Sequence, residues 1–108
     1  MPRIEMPSGS LVMLVLRVLQ NGDLHGYAIA QRIRQLSSDV LQVEEGSLYP
    51  ALQKMLLKGW VSAEWGLSES NRKVRFYRLT PAGRKQLKSE LSDYEAATSA
   101  IQAILRTA

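Results

Sequence analysis

The chain has 108 residues, a formal net charge of +4 and no cysteine. It can form one domain around one modest core, and it excludes a disulfide frame, a thiol nucleophile and a thiolate zinc site. Its longest run of large apolar residues, Leu11 to Leu16, is far short of the roughly 20 residues of a membrane span, and Arg3 and Glu5 before a Pro/Ser/Gly stretch make a poor secretory signal; a cytoplasmic protein with no membrane partner is expected.

In chain order, Ser10 to Gln20 reads as a first helix, capped by Ser8 or Ser10 and stopped by Asn21-Gly22. It is apolar on nearly every side, which requires burial on every side. In so small a domain this points to a second chain as well as the helix's own core, and Leu11, Leu14 and Val15 are the candidates. A second helix follows from about Asp23-Leu24, with Tyr27, Ile29, Ile33 and Leu36 at helical spacing, and Ser37-Ser38-Asp39 breaks it. Val40 to Val43 is short and β-prone.

The segment "GSLYPALQKM" (Gly46 to Met55) holds a proline inside a helical pattern. An interior proline costs roughly 3 kcal/mol. With Ser47 as N-cap, however, Leu48, Tyr49 and Pro50 become the first three helical positions, whose N–H groups have no intrahelical partner. The predicted helix then runs to Lys58, and Gly59 ends it. Its inner face is Leu48, Leu52, Met55 and Leu56. Pro50, Gln53 and Lys54 point away with Ser47 beside them, and Tyr49 lies on the boundary. Leu57 fits neither face, and packing against the next element is its expected place.

Trp60 to Trp65 and Val74 to Leu79 alternate around the turn-rich "GLSESNRK" and read as a hairpin. Thr80-Pro81-Ala82-Gly83 then starts a last helix with Thr80 as cap. No breaker follows, so that helix is about 27 residues or roughly 40 Å long.

Order and spacing together predict a mainly α chain with a small β-hairpin. Residues 1–79 form a winged helix-turn-helix and 80–108 a long C-terminal dimerisation helix, in one compact unit. In a helix-turn-helix the second helix of the pair leads into the DNA major groove with its N-terminal residues. On the third helix, Gln53 suits adenine and Lys54 suits phosphate or guanine. Tyr49 either lies along a sugar-phosphate strand or is half core and orients the helix.

The distribution of charge is uneven. Between Asn71 and Lys88 stand Arg72, Lys73, Arg75, Arg78, Arg84, Lys85 and Lys88 with no acid among them. At the hairpin tip Asn71, Arg72, Lys73 and Arg75 are placed for phosphates or a minor groove, against the plainer reading of a solvated charged turn. Some of the remaining cations flank DNA and others keep a helix surface wet. Glu44 and Glu45 would repel phosphate, and the positive end of the third helix is their expected partner.

Leu87, Leu91, Tyr94, Thr98, Ile101 and Leu105 are spaced 4, 3, 4, 3 and 4 residues apart, an a/d seam of the kind that pairs helices. Packing on the helix's own domain is the alternative, but a 40 Å helix outruns so small a core. His25, the single histidine, suits a helix start. No nucleophile elbow, phosphate loop or paired His/Glu spacing appears. Neither an enzyme nor a metal site or other cofactor is expected.

"LHGYAIAQRI" (Leu24 to Ile33), "VEEGSLYPALQKM" (Val43 to Met55), "GWVSAEW" (Gly59 to Trp65) and "RFYRLTPAGRKQL" (Arg75 to Leu87) together resemble the PadR family of bacterial transcriptional regulators, in its compact branch with a single C-terminal helix. The resemblance implies a homodimeric winged-helix repressor on a pseudo-palindromic operator of double-stranded DNA. Tyr49, Pro50 and their neighbours would lie on its recognition helix, and Arg72 and Lys73 at the wing tip. Tyr27 joins Ser47, Gln53, Lys54 and Arg75 in the expected DNA-binding set. Some members of that family sense small aromatic molecules near the dimer interface, so a small aromatic effector is a further partner the resemblance allows. Here the last helix offers Tyr94 and no tryptophan. The alternatives are a winged helix that docks an acidic protein partner and a sensor of aromatic small molecules.

Overall fold

The computed structural model describes residues 4–7 and 9–107. In chain order the elements are β1 (Ile4–Glu5), α1 (Ser10–Leu19), β2 (Leu24–His25), α2 (Gly26–Leu36), β3 (Leu41–Gln42), α3 (Glu45–Leu57), β4 (Val61–Leu67), β5 (Lys73–Leu79) and α4 (Pro81–Leu105). β1 and β3 pair in parallel, and β2, β5 and β4 form an antiparallel sheet in that order. This is the predicted mainly α winged helix-turn-helix, with a third strand added to the hairpin.

α1 is the central element, touching α2, α3, α4 and β5. Val15 and Leu16 of α1, Ile29 of α2, and Leu48, Leu52 and Met55 of α3 are fully buried together. Val15 is therefore a core residue of its own protomer and is withdrawn from the dimerisation set; the all-round apolar sequence of α1 is explained by the number of elements packed on it. Leu11, Val12 and Leu14 remain half-buried at the edge of the core.

The start of α1 departs from expectation. Gly9 precedes the helix at φ 82°, and Ser10 is its first residue. The Ser10 hydroxyl donates back to the Pro7 carbonyl at 2.6 Å rather than accepting from the first turn. Ser8, the other candidate cap, lies outside the described residues. α2 is capped by His25, whose Nδ1 accepts from the Ala28 N–H at 3.4 Å. The His25 ring also meets Phe76 edge-on at 5.6 Å.

α3 begins earlier than the sequence suggested. Glu44, not Ser47, is the N-cap. Its backbone carbonyl receives the N–H groups of both Ser47 (3.0 Å) and Leu48 (2.9 Å), and Glu45 in the first turn suits the positive helix end. Pro50 is thus one turn further into the helix than expected. Its missing N–H leaves the Gly46 carbonyl without a helical partner, but Gly46 and Pro50 are both exposed, so water can serve that carbonyl. The helix ends in a Schellman motif: Gly59 at φ 74° donates to Leu56 and Trp60 to Met55, each at 3.0 Å. Leu57 does not pack against the hairpin; it is 89% exposed.

α4 starts as predicted, with the Thr80 hydroxyl accepting from the Gly83 N–H at 3.0 Å. Leu87 is 2% exposed and anchors α4 to the core, which removes it from the dimerisation set. From Leu91 to Thr107 every residue except Thr98 is exposed. The helix therefore projects beyond the core in a molecule 57 Å long. No helix among the described residues is long and apolar enough to cross a membrane.

Candidate nucleic-acid interface

α2 and α3 lie beside the β4–β5 hairpin, and a cleft of about 1070 Å³ opens between the helix starts and the wing. Tyr27 and Tyr49 line its helical side, and Arg72, Lys73 and Arg75 its wing side. Five of the nine residues expected at DNA thus share one concavity. Ser47, Pro50, Gln53 and Lys54 are exposed on α3 but do not line the cleft.

The wing is built by strict antiparallel pairing, with Trp65 opposite Arg75 and Leu67 opposite Lys73. Asn71 turns the tip at φ 62°, and the Ser68 hydroxyl accepts from the Arg72 N–H at 3.2 Å. One face of the hairpin starts in the core with buried Val61, Tyr77 and Leu79. The same face then leaves the core at Trp65, which is 62% exposed.

Of the two readings of Tyr49, the half-core one is what the structure shows, with the outer part of the residue open to solvent. Its ring lies against Gly26, where an added Cβ would come within 2.9 Å, and the residue is still 43% exposed. Burial, then the charge of Glu45, then the neighbouring Tyr77 raise its phenol above the ordinary value. The hydroxyl is a neutral donor at neutral pH, the form that hydrogen-bonds a phosphate oxygen. Tyr27 is more open, and its hydroxyl accepts from Gln31 Nε2 at 3.4 Å.

Not all the cations of the basic block are equally free. Arg78 forks onto Asp23, with Nη2 to Oδ2 at 2.8 Å and Nε to Oδ2 at 3.1 Å, so its charge is locally matched. Arg84, Lys85 and Lys88 lie exposed along α4. Lys73 and Arg75 instead sit over the Trp65 ring, at 5.2 Å and 5.9 Å from its centroid. Sequence reading placed Trp65 in the hairpin but not in the site; the signal was its position across from Arg75, legible only once the register is known. Among the described residues no group of His, Cys, Asp and Glu could hold a metal ion.

Comparison with known proteins identifies the family and the fold. Residues 15–89 match the transcriptional regulator PadR-like family. A protein of Lysinibacillus sphaericus named only as uncharacterized protein X is 32% identical over 91 residues, covering 84% of this chain and 83% of that one. An uncharacterized 37.1 kDa protein in a Streptomyces fradiae transposon is 45% identical over 72% of this chain, which spans only 21% of that protein. Among solved structures, a transcriptional regulator from Clostridium thermocellum superposes with a TM-score of 0.83 at 26% identity, over 91% of this chain and 95% of that one. A PadR family regulator from Eggerthella lenta superposes with a TM-score of 0.77 at 27% identity, over 93% and 85%. The chain belongs to the PadR-like family, and it is a DNA-binding transcriptional regulator built on a winged helix.

Proposed function

We propose that the protein is a homodimeric repressor whose paired winged helices bind a pseudo-palindromic operator. The observation that carries this reading is the shared cleft, which joins the start of α3 to the three cations at the wing tip. A recognition helix in a major groove and a wing on the flanking backbone need that juxtaposition. Gln53 and Lys54, outside the cleft on the open face of α3, are the base-reading candidates, with Ser47 and Pro50 at the leading end of the helix. Tyr27, Tyr49, Arg72, Lys73 and Arg75 hold the backbone.

The dimer half of the proposal rests on α4. Leu91, Tyr94, Ile101 and Leu105 are 36%, 51%, 55% and 71% exposed in the protomer, at the spacing of a helix-pairing seam. Residues 80–108 are read as the dimerisation unit and residues 1–79 as the DNA-binding unit, with Leu11 and Leu14 flanking the seam. Two recognition helices related by a two-fold axis address half-sites about 10 bp apart. A dimer across such a site covers enough duplex to block polymerase at a promoter, hence repression.

A protection footprint on the DNA upstream of the protein's own gene tests the proposal. Two protected half-sites about one helical turn apart are expected. An unprotected upstream region, with no salt-sensitive binding to that DNA, would favour the alternative in which the basic block faces an acidic protein partner.

A further inference from the structure

We propose that Trp65 is a positioning residue of the wing: its indole face holds Lys73 and Arg75 together as a preset pair of phosphate contacts. The inference rests on the DNA-binding reading of the wing and adds to it a residue that touches no phosphate itself. A tryptophan that is 62% exposed, where the core-facing side of β4 leaves the core, puts a large apolar area in water. The register explains its use. Arg75 is directly opposite Trp65, and Lys73, opposite Leu67, is the diagonal neighbour on the same face. Lys73 Nζ lies 5.2 Å from the ring centroid and Arg75 Cζ 5.9 Å, both within the reach of a cation–π attraction.

Among the described residues no carboxylate pairs with either cation. The ion pairs found among the described residues are Arg34–Asp39 and Arg78–Asp23. A carboxylate would neutralise the charge that phosphate needs, whereas an aromatic face orders a cation and leaves its charge and outward N–H groups open. Lysine and arginine lose much rotamer freedom when fixed on a ligand. Holding them before DNA arrives removes part of that loss from the binding step. Indole has the strongest ring quadrupole of the protein aromatics, so tryptophan is the side chain suited to two cations at once.

The test uses the full chain and a fluorescently labelled 30-bp duplex of mixed sequence, titrated by anisotropy at several salt concentrations. Trp65→Leu, which keeps an apolar residue on the strand, is expected to weaken binding about two- to fivefold. Trp65→Phe should recover part of the loss. In a Lys73→Ala/Arg75→Ala background the Trp65→Leu loss should vanish, because the ring acts only through those cations. In the free protein the Lys73 ε-methylene protons should be shifted upfield by the ring, and the shift should disappear in Trp65→Leu. An equal loss in both backgrounds would mean that Trp65 touches DNA directly, and an unshifted Lys73 would mean that the stack does not form; either overturns the inference while the DNA-binding reading stands. Wild-type protein that fails to bind the duplex in a salt-dependent way overturns both.

Discussion

Gly26 leaves open the space that the Tyr49 ring fills: a Cβ at position 26 would stand 2.9 Å from both Cε1 and the hydroxyl oxygen of that ring. The first residue of α2 thereby sets where a side chain of α3 lies. The atoms it would strike are the far end of a ring that is still 43% exposed, so the ring can swing aside while both helices stay in place. Gly26→Ala is therefore expected to leave the thermal unfolding midpoint within a few degrees of wild type. It should weaken duplex binding by roughly the same factor as Tyr49→Ala, on the order of the ~1 kcal/mol of one hydrogen bond. Calorimetry beside an anisotropy titration checks both. Wild-type affinity in Gly26→Ala, with a loss in Tyr49→Ala, would show that the ring acts from some other position.

Gly83 depends on a closer approach. A Cβ there would lie 2.0 Å from the Trp60 carbonyl oxygen and 2.6 Å from Leu79 Cδ1. The first contact is with backbone, which cannot rotate away. It is locked by Thr80, whose N–H donates to the same Trp60 carbonyl at 3.1 Å and whose hydroxyl donates to Gly59 at 2.6 Å. Gly83→Ala must lift the start of α4 off the sheet, and a loss of about 1–3 kcal/mol is expected, as for overpacking in a core. Urea denaturation measures it. An unchanged midpoint would mean that α4 shifts freely at its root.

These two glycines mark what was legible in the sequence. "TPAG" announced the α4 cap because Thr80 and Pro81 act locally, and the inner face of α3 followed from periodicity alone. The start of α3 falls earlier than Ser47 because Glu44 takes the N-cap position without a side-chain cap hydrogen bond, and a cap of that kind leaves no residue signature. β2 is two residues long and exists only because Leu24 and His25 pair with Tyr77 and Phe76. Trp65 entered the site through cross-strand register, which the sequence does not state. The seam on α4 was visible as spacing, but spacing does not say whether a leucine faces its own core or another chain. Leu87 proved to face the core.

That distinction gives opposite outcomes along one helix. Ile101 is 55% exposed in the protomer, far from the core, whereas Leu87 is 2% exposed. Ile101→Asp is expected to leave the fold and its circular dichroism intact and to convert the proposed dimer to monomer at micromolar concentration, since a charge on an a/d seam must be desolvated. Leu87→Asp should unfold the chain. Sedimentation velocity reads the first and thermal melts the second. A dimer that persists in Ile101→Asp would move the pairing surface away from the distal half of α4.

The raised phenol of Tyr49 predicts an alkaline effect of defined sign. Burial, then Glu45, then Tyr77 hold its folded-state value above the ordinary 10.0. Once pH passes the unfolded value, the unfolded chain gives up this proton while the folded chain keeps it, so the folded state binds more protons and stability falls with rising pH. The contribution is complete below about pH 10 and is lost as pH rises through the folded value. Tyr49→Phe lacks it. The gap between the wild-type and Tyr49→Phe unfolding midpoints should be constant from pH 7 to about pH 9 and then move against wild type above about pH 10. The direct check is tyrosinate absorbance in the folded protein, where the Tyr49→Phe difference spectrum should titrate above 10. A difference that titrates at the ordinary value of 10.0 would mean that the ring is solvated and does not rest against Gly26.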